Sequence, residues 1–402
     1  MINESLMHEK LKTIYTFLTS KYFEVDEFVT CLILSMISRT HLIVLGQPGI
    51  AKSAILRDLV LLIDFENNSS TPYFHIQMGS DVSPNNVFGA PDIAYFKSHG
   101  IIKRHYKGFL PDATIAFCSE FYRVSDQVAN SGLLTILNEG EFKNGTETIK
   151  TNLRFFMADT NFFPKSIDDL DVEETDLKLQ ALHDRFLSRY YLQPIQEMQN
   201  KIEMILMADK VPDAPAIKLS ELVEIQNYIG EIELPFEIAK HMASIAHHLE
   251  VKHKIFISPR RLKLSRNLVK ASAFFSSRST CTLEDLKALA FTFWQKQEDI
   301  QIVKDTILDV LGKPSNDARS YEKLLKSITE EFERHVSDEQ HLPGYNPDLL
   351  YKQLLSDLMK LLETIEKTYP TDTDYPEIQK IKKAVHITFK TRSDERQAFS
   401  VN

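Results

Sequence analysis

Long apolar runs are absent from this sequence. The longest, at residues 32–37 and 59–63, fall far short of the ~20 residues that a membrane-spanning helix needs. The first ten residues are polar and charged with no apolar stretch behind them, so no secretory leader is expected. Cysteine is scarce. Cys31, Cys118 and Cys281 lie far apart, without CxxC or zinc-ligand spacing, which argues against a disulfide framework and against a zinc module. The 13 histidines also lack ligand-like spacing, and His247, His248 and His253 read as surface residues in or just after a helix. A basic excess is missing too: the formal net charge is -9, and neutralising nucleic-acid phosphates needs Lys and Arg in local surplus. Lys103, Arg104 and Lys107 make one compact basic cluster, too small for a nucleic-acid sleeve. Solenoid-period repeats and low-complexity tracts are not found. What remains is a cytoplasmic protein in a reducing compartment, without a membrane span.

Apolar residues are plentiful enough for large cores. With 402 residues, 43% hydrophobic and 26% charged, the chain has ordinary globular composition and the length of two or three domains. Periodicity predicts helices at 4–20 and 26–38, a short buried strand at 41–45, and a turn leading into a helix at 52–64. Further strands are predicted at 73–77, 114–118, 153–158 and 190–192, with a helix at 125–138. This alternation implies an α/β fold with a mainly parallel sheet covered by helices on both faces. Two insertions, near 92–107 and 141–156, read as hairpins, the second around the turn signal Asn144-Gly145. Beyond residue 196 the strands stop, and helices are predicted at 197–207, 219–230, 235–249, 258–276 and 282–297. After a break at 312–317 come three amphipathic stripes: Tyr321, Leu324, Leu325, Ile328 and Phe332; Tyr351, Leu354, Leu355, Leu358, Leu361, Leu362 and Ile365; and Ile378, Ile381 and Val385.

Strand, turn and helix frame the run Gly46, Gln47, Pro48, Gly49, Ile50, Ala51, Lys52 and Ser53. In that setting backbone N–H groups at a helix N-terminus can curl around phosphates, a lysine neutralises them and a hydroxyl holds Mg²⁺. Lys52 and Ser53 fill the last two roles. Ala51 stands where the GxxxxGK[ST] pattern has its second glycine. Helical dihedrals there would cost little, a positive φ about 1 kcal/mol or more. A glycine turn before an ordinary amphipathic helix would share these residues. The strand at 114–118 runs into Ser119-Glu120, where phosphate-loop ATPases normally place Asp-Glu: the Asp supports Mg²⁺ and the Glu polarises the attacking water. Here the Glu is kept and Ser119 replaces the Asp. The strand at 153–158 runs into Asp159-Thr160-Asn161, where an asparagine can help to place that water, or simply form a turn.

The ordered set of these motifs, followed by Asp184-Arg185-Phe186 and Ser258-Pro259-Arg260, resembles the MoxR-type AAA+ ATPases. Val87-Phe88-Gly89, Leu133-Leu134-Thr135, Asn138-Glu139, Arg260-Arg261-Leu262-Lys263 and the run from Ala271 to Phe275 are similar to the RavA branch in particular. The resemblance covers roughly residues 5–297. It implies an AAA+ P-loop αβα nucleotide-binding domain over 1–196, an all-α lid over 197–299, and a C-terminal helical extension at 313–402, shorter than that of RavA. It further implies ATP with Mg²⁺ bound between the protomers of a homo-hexamer. The implied roles are catalytic glutamate for Glu120, sensor 1 for Asn161, sensor 2 for Arg260, and arginine finger for Arg185, with Arg189 as a second candidate. Ser53 and Ser119 would lie beside the metal. The expected function is ATP hydrolysis, slowed by Ser119 and Ala51, that remodels or regulates a protein partner, in this family often one with a von Willebrand factor A domain. The alternative is a hydrolysis-deficient ATP-binding scaffold or sensor, in a defence or stress system. A DNA-processing motor is disfavoured by the acidic balance.

Overall fold

Four consecutive apolar residues between two helices form strand β1 (Leu42–Leu45), buried along its whole length. The computed structural model describes residues 4–66, 73–163, 179–180, 182–208, 210–311, 313–339, 347–368 and 376–400. Eight further strands follow β1: β2 (Ile63–Asp64), β3 (Tyr73–Gln77), β4 (Ile115–Ser119), β5 (Glu141–Asn144), β6 (Glu147–Lys150), β7 (Phe155–Thr160), β8 (Ser188–Tyr191) and β9 (Ile217–Lys218). Five of them make one sheet in the order β3-β4-β7-β1-β8. Every pairing in it is parallel. β1 and β7 are buried at every position, as expected of a parallel sheet covered on both faces. β7 lies between β1 and β4, pairing Val44 with Asp159 on one edge and Cys118 with Ala158 on the other.

The helix Glu4–Lys21 buries Met7, Leu11, Ile14 and Leu18, one stripe at helical spacing. The helix Asp26–Ile37 is buried nearly all round and packs against it. Beyond the sheet come the helices Leu219–Tyr228, Phe236–His253 and Pro259–Phe275 and the 3-10 turn Leu283–Phe291. Ser258 caps Pro259–Phe275 by accepting the Arg261 N–H, with proline at the first helical position.

The chain divides into two compact units, Met1–Lys304 and Asp305–Asn402, where lid and extension boundaries near 299 and 313 were expected. The second unit contains the helices Lys313–Glu339, Pro347–Thr368 and Pro376–Ser400. Their stripes bury one cluster, with Phe332 edge-on to Tyr351 at 5.0 Å and Leu358, Ile365 and Val385 at its centre. Among the described residues no helix is long and apolar enough to cross a membrane.

Three expected elements take other forms. The 92–107 segment is not a hairpin but holds a helix, Ile93–His99, because Asp92 caps it through the Tyr95 N–H and Gly100 ends it in the left-handed region. One β-bridge, Pro91–Arg104, closes that excursion, and Arg104 also donates to the Gly89 carbonyl at 2.8 Å. The helix expected at 125–138 is interrupted by a wide turn at Ala129–Leu133 and resumes at Leu134–Glu139. The segment at 282–297 winds as a 3-10 turn over Leu283–Phe291 and does not continue as an α-helix. The second insertion is a hairpin, β5 against β6, with Asn144 opposite Glu147.

Candidate functional site

The loop between β1 and the helix Lys52–Leu61 is held open by backbone geometry. Gly46 sits at φ 148°, and a Cβ there would lie 2.5 Å from the Leu192 carbonyl oxygen, so a side chain is excluded. Ala51 adopts φ 64°, ψ 12° and contributes no side-chain cap to the helix it precedes. The costly branch of the sequence expectation therefore holds: an L-residue stands in the left-handed region, and the first N–H groups of a ten-residue helix face the loop without a side-chain acceptor. Lys52 is 5% exposed. Its ammonium donates to the carbonyls of Gly46 and Gln47, both at 2.7 Å, and to Asn161 Oδ1 at 2.8 Å. Burial lowers the Lys52 pKa, while the Asp159 carboxylate acts in the opposite direction.

The ends of β4 and β7 supply the opposite wall. Both strands run further than the sequence suggested, so Ser119 and Asp159 are strand residues. Asp159 Oδ2 accepts from the Ser53 hydroxyl, and Asp159 Oδ1 accepts from the Glu120 N–H at 2.8 Å. Glu120 itself is left-handed, at φ 51° and ψ 42°. Backbone strain of this kind gathers at working sites. Its carboxylate is paired with Arg123 Nε at 2.7 Å and accepts from Gln77 Nε2 at 3.2 Å. Ser119 Oγ lies 3.1 Å from His75 Nε2. Burial, and secondarily the Arg57 charge, lowers the His75 pKa. Lys52, Ser53, Ser119, Glu120, Asp159 and Asn161 are among the residues lining a pocket of about 470 Å³, together with Arg57, His75 and Gln77.

A nucleotide phosphate chain with Mg²⁺ suits these residues. The loop offers N–H groups and a lysine, and the Ser53 hydroxyl lies against a buried carboxylate. Among the described residues no cluster of three His, Cys, Asp or Glu could hold a metal ion unaided. Mg²⁺ bound through substrate phosphates, water and one or two protein groups needs no such cage.

The arginines expected to serve the site are dispersed. Arg260, at the start of the helix Pro259–Phe275, is exposed and is not among the residues lining the pocket. Its neighbour Arg261 is buried and donates to the carbonyls of Leu187 (3.2 Å) and Thr292 (2.8 Å). Arg189, the second arginine-finger candidate, is fully buried. It donates to the carbonyls of Trp294 (2.7 Å), His183 (3.1 Å) and Phe186 (3.3 Å) and to Gln295 Oε1 (2.9 Å). Desolvation pushes its pKa down to about 10. Arg189 is thus enclosed by its own chain and is not among the residues lining the phosphate pocket. Arg185 is half-buried, next to Phe186, whose ring packs edge-on to Phe121 at 5.0 Å.

Asp159, His75, Gln77 and Arg123 escaped the sequence reading as site residues. Asp159 left a signal: a carboxylate two residues before Asn161, in a chain that lacks one at position 119. His75 and Gln77 could not be found from spacing alone, because β3 meets β4 only through the sheet, whereas Arg123 follows Glu120 by three residues.

Comparison with known proteins fits this geometry. The family model described as the MoxR domain in the MoxR-vWA-beta-propeller ternary systems matches residues 9–227, and an AAA lid domain model matches 237–307. Two uncharacterized proteins of Methanocaldococcus jannaschii are 28% identical over 326 residues (81% of this chain, 80% of the relative) and 26% identical over 344 (86% of each). A structural protein of Acidianus two-tailed virus is 22% identical over 311 residues, 71% of this chain and 49% of its own length. Among solved structures, a "putative ATPase" of Cytophaga hutchinsonii superposes with a TM-score of 0.58 at 18% identity, covering 76% of this chain and 95% of its own, a likeness of fold. With a family match spanning more than half of its residues, the chain belongs to the MoxR family of AAA+ ATPases.

Proposed function

We propose that this protein binds ATP with Mg²⁺ in the pocket between the loop at 46–53 and the tips of β4 and β7, and hydrolyses it slowly within a homo-hexameric ring in the cytoplasm. The observation that carries this reading is the convergence of Lys52, Ser53, Glu120, Asp159 and Asn161 on one pocket. Lys52 and the helix N-terminus bind the phosphates. Ser53 takes part in holding Mg²⁺, which when bound neutralises phosphate charge. Glu120 orients and deprotonates the attacking water, with Asn161 helping to place it. Arg185 reaches a neighbour's nucleotide as the arginine finger, and Arg260 closes on the phosphates from the lid. Turnover is slow because Ser119 brings no charge, Ala51 strains the loop, and Glu120 must leave Arg123 and Gln77 before it can address a water.

The ring would remodel or regulate a protein partner. The matched family occurs in MoxR-vWA-beta-propeller systems, which favours a partner with a von Willebrand factor A domain. The RavA-like motifs are kept as a resemblance within that reading. A second reading, an ATP-binding scaffold or sensor without hydrolysis, draws on the tie of Glu120 to Arg123 and Gln77. Single-turnover hydrolysis by the wild type and by Glu120→Gln, with mass photometry in ATP and Mg²⁺, separates the two. Turnover by the wild type alone, from an assembled ring, supports the enzyme. Equal absence of turnover in both, with partner added, leaves the scaffold.

A further inference from the structure

The register of the sheet places a carboxylate beside the position that lacks one. β4 and β7 pair up to Cys118 and Ala158, and the residues that follow are Ser119, the last of β4, and Asp159, the next to last of β7. Ser119 meets His75. Asp159 is only 4% exposed, yet it lies on the pocket wall with one oxygen accepting the Ser53 hydroxyl and the other the Glu120 N–H. Two hydrogen bonds relieve part of the penalty for burying a carboxylate, but none of the Lys, Arg or His residues among those described forms an ion pair with it. A buried carboxylate that Lys52 meets only through its field, without an ion pair, and that faces a phosphate pocket, is suited to a cation that arrives with the ligand.

We propose that Asp159 is the carboxylate that supports Mg²⁺ in this protein, performing from β7 the role that the family pattern gives to an Asp at the end of β4. The contact with Ser53 shows how. A hydroxyl whose proton is donated to Asp159 presents only its lone pairs to a cation. Asp159 thus fixes the orientation of Ser53 and places a negative charge next to it, both of which a serine at position 119 could not do alone. On this view Ser119 is no longer a reason for slow turnover, and the cause shifts to Ala51 and to the release of Glu120.

The inference rests on the ATP-binding reading, and one experiment keeps the two apart. Mn²⁺ replaces Mg²⁺, and its binding is read by electron paramagnetic resonance with and without ATPγS, while ATPγS affinity is measured separately in EDTA. Asp159→Asn should weaken nucleotide-dependent Mn²⁺ binding by about 10- to 100-fold, the usual loss when a group supporting a metal ligand is removed. Its metal-free ATPγS affinity should be unchanged. Moving the carboxylate back, with Ser119→Asp and Asp159→Ser together, should restore Mn²⁺ binding. Wild-type Mn²⁺ affinity in Asp159→Asn, or a folded exchanged variant that stays weak, would overturn the proposal. If Asp159→Asn does not fold, the exchanged variant decides. A wild-type chain that binds no ATPγS, with or without Mn²⁺, overturns the ATP reading itself.

Discussion

Two groups of buried polar side chains lie within the first unit, and they differ in how their partners are held. Around Lys52 and Asp159, at the ends of the strands, the partners are loop carbonyls, a hydroxyl and an asparagine bordering an open pocket. Around Arg189 and Arg261, where β8 meets the lid, the partners are mainly backbone carbonyls of fixed elements, with Asp184 3.3 Å and 3.5 Å from the two guanidinium groups. The first group can exchange its partners for a ligand. The second has its donors committed and works as a clamp between sheet and lid. Burial of charge alone does not mark a functional site; what distinguishes one is a partner that can be replaced.

The comparison is most exposed to test at the clamp. Arg189→Met should cost about 3–5 kcal/mol of stability, because it strips buried carbonyls of their donor. Nucleotide affinity of the folded fraction should be unchanged, as denaturant titration and ATPγS binding would show; a selective loss of ATP binding would break the distinction. Lys52→Met should do the reverse, lowering ATPγS affinity by about 2–3 kcal/mol, the range for hydrogen bonds to a charged group, with little change in stability.

The clamp should also be acid-sensitive. His183 is buried against Tyr122, and burial, then the charges of Arg189 and Arg261, hold its pKa well below 6.5. A base with a depressed folded pKa stays neutral in the native state, while the unfolded chain takes up a proton below about 6.5. The stability it contributes is therefore complete above that pH and is lost as pH falls below it, by up to about 1.4 kcal/mol per unit. His183→Gln should flatten that slope in melts taken between pH 7 and pH 5. The smallest effect is expected in the loop. Ala51→Gly should stabilise the chain by about 1 kcal/mol, since glycine accepts φ 64° without a Cβ penalty. A destabilised Ala51→Gly would mean that the left-handed geometry is not an intrinsic strain at that position.

How much of this could be read from residues alone depended on whether the information was local. β3 and the helix Asp26–Ile37 follow directly from apolar spacing. The phosphate loop follows from a glycine-rich turn placed between a strand and a helix. Arg260 and Arg261 show where such reading stops: they are consecutive in sequence, but about 100° of helical rotation turns one to solvent and the other into the clamp. Asp159 was visible as a residue, while its meaning depended on the strand order that puts β7 between β1 and β4. The helix at Ile93–His99 was missed because its signals are its caps, Asp92 and Gly100, rather than an apolar stripe; it buries no residue.

The position of β7 has a mechanical consequence. Flanked by paired strands on both edges, it has few backbone degrees of freedom, and Asp159 passes that stiffness through one hydrogen bond to the amide of Glu120. The peptide of Glu120 is thereby anchored while its carboxylate, held by Arg123 and Gln77, keeps its side-chain torsions. The movement that frees the glutamate is then a side-chain rotation, not a shift of a loop or domain, motions that extend to microseconds and milliseconds.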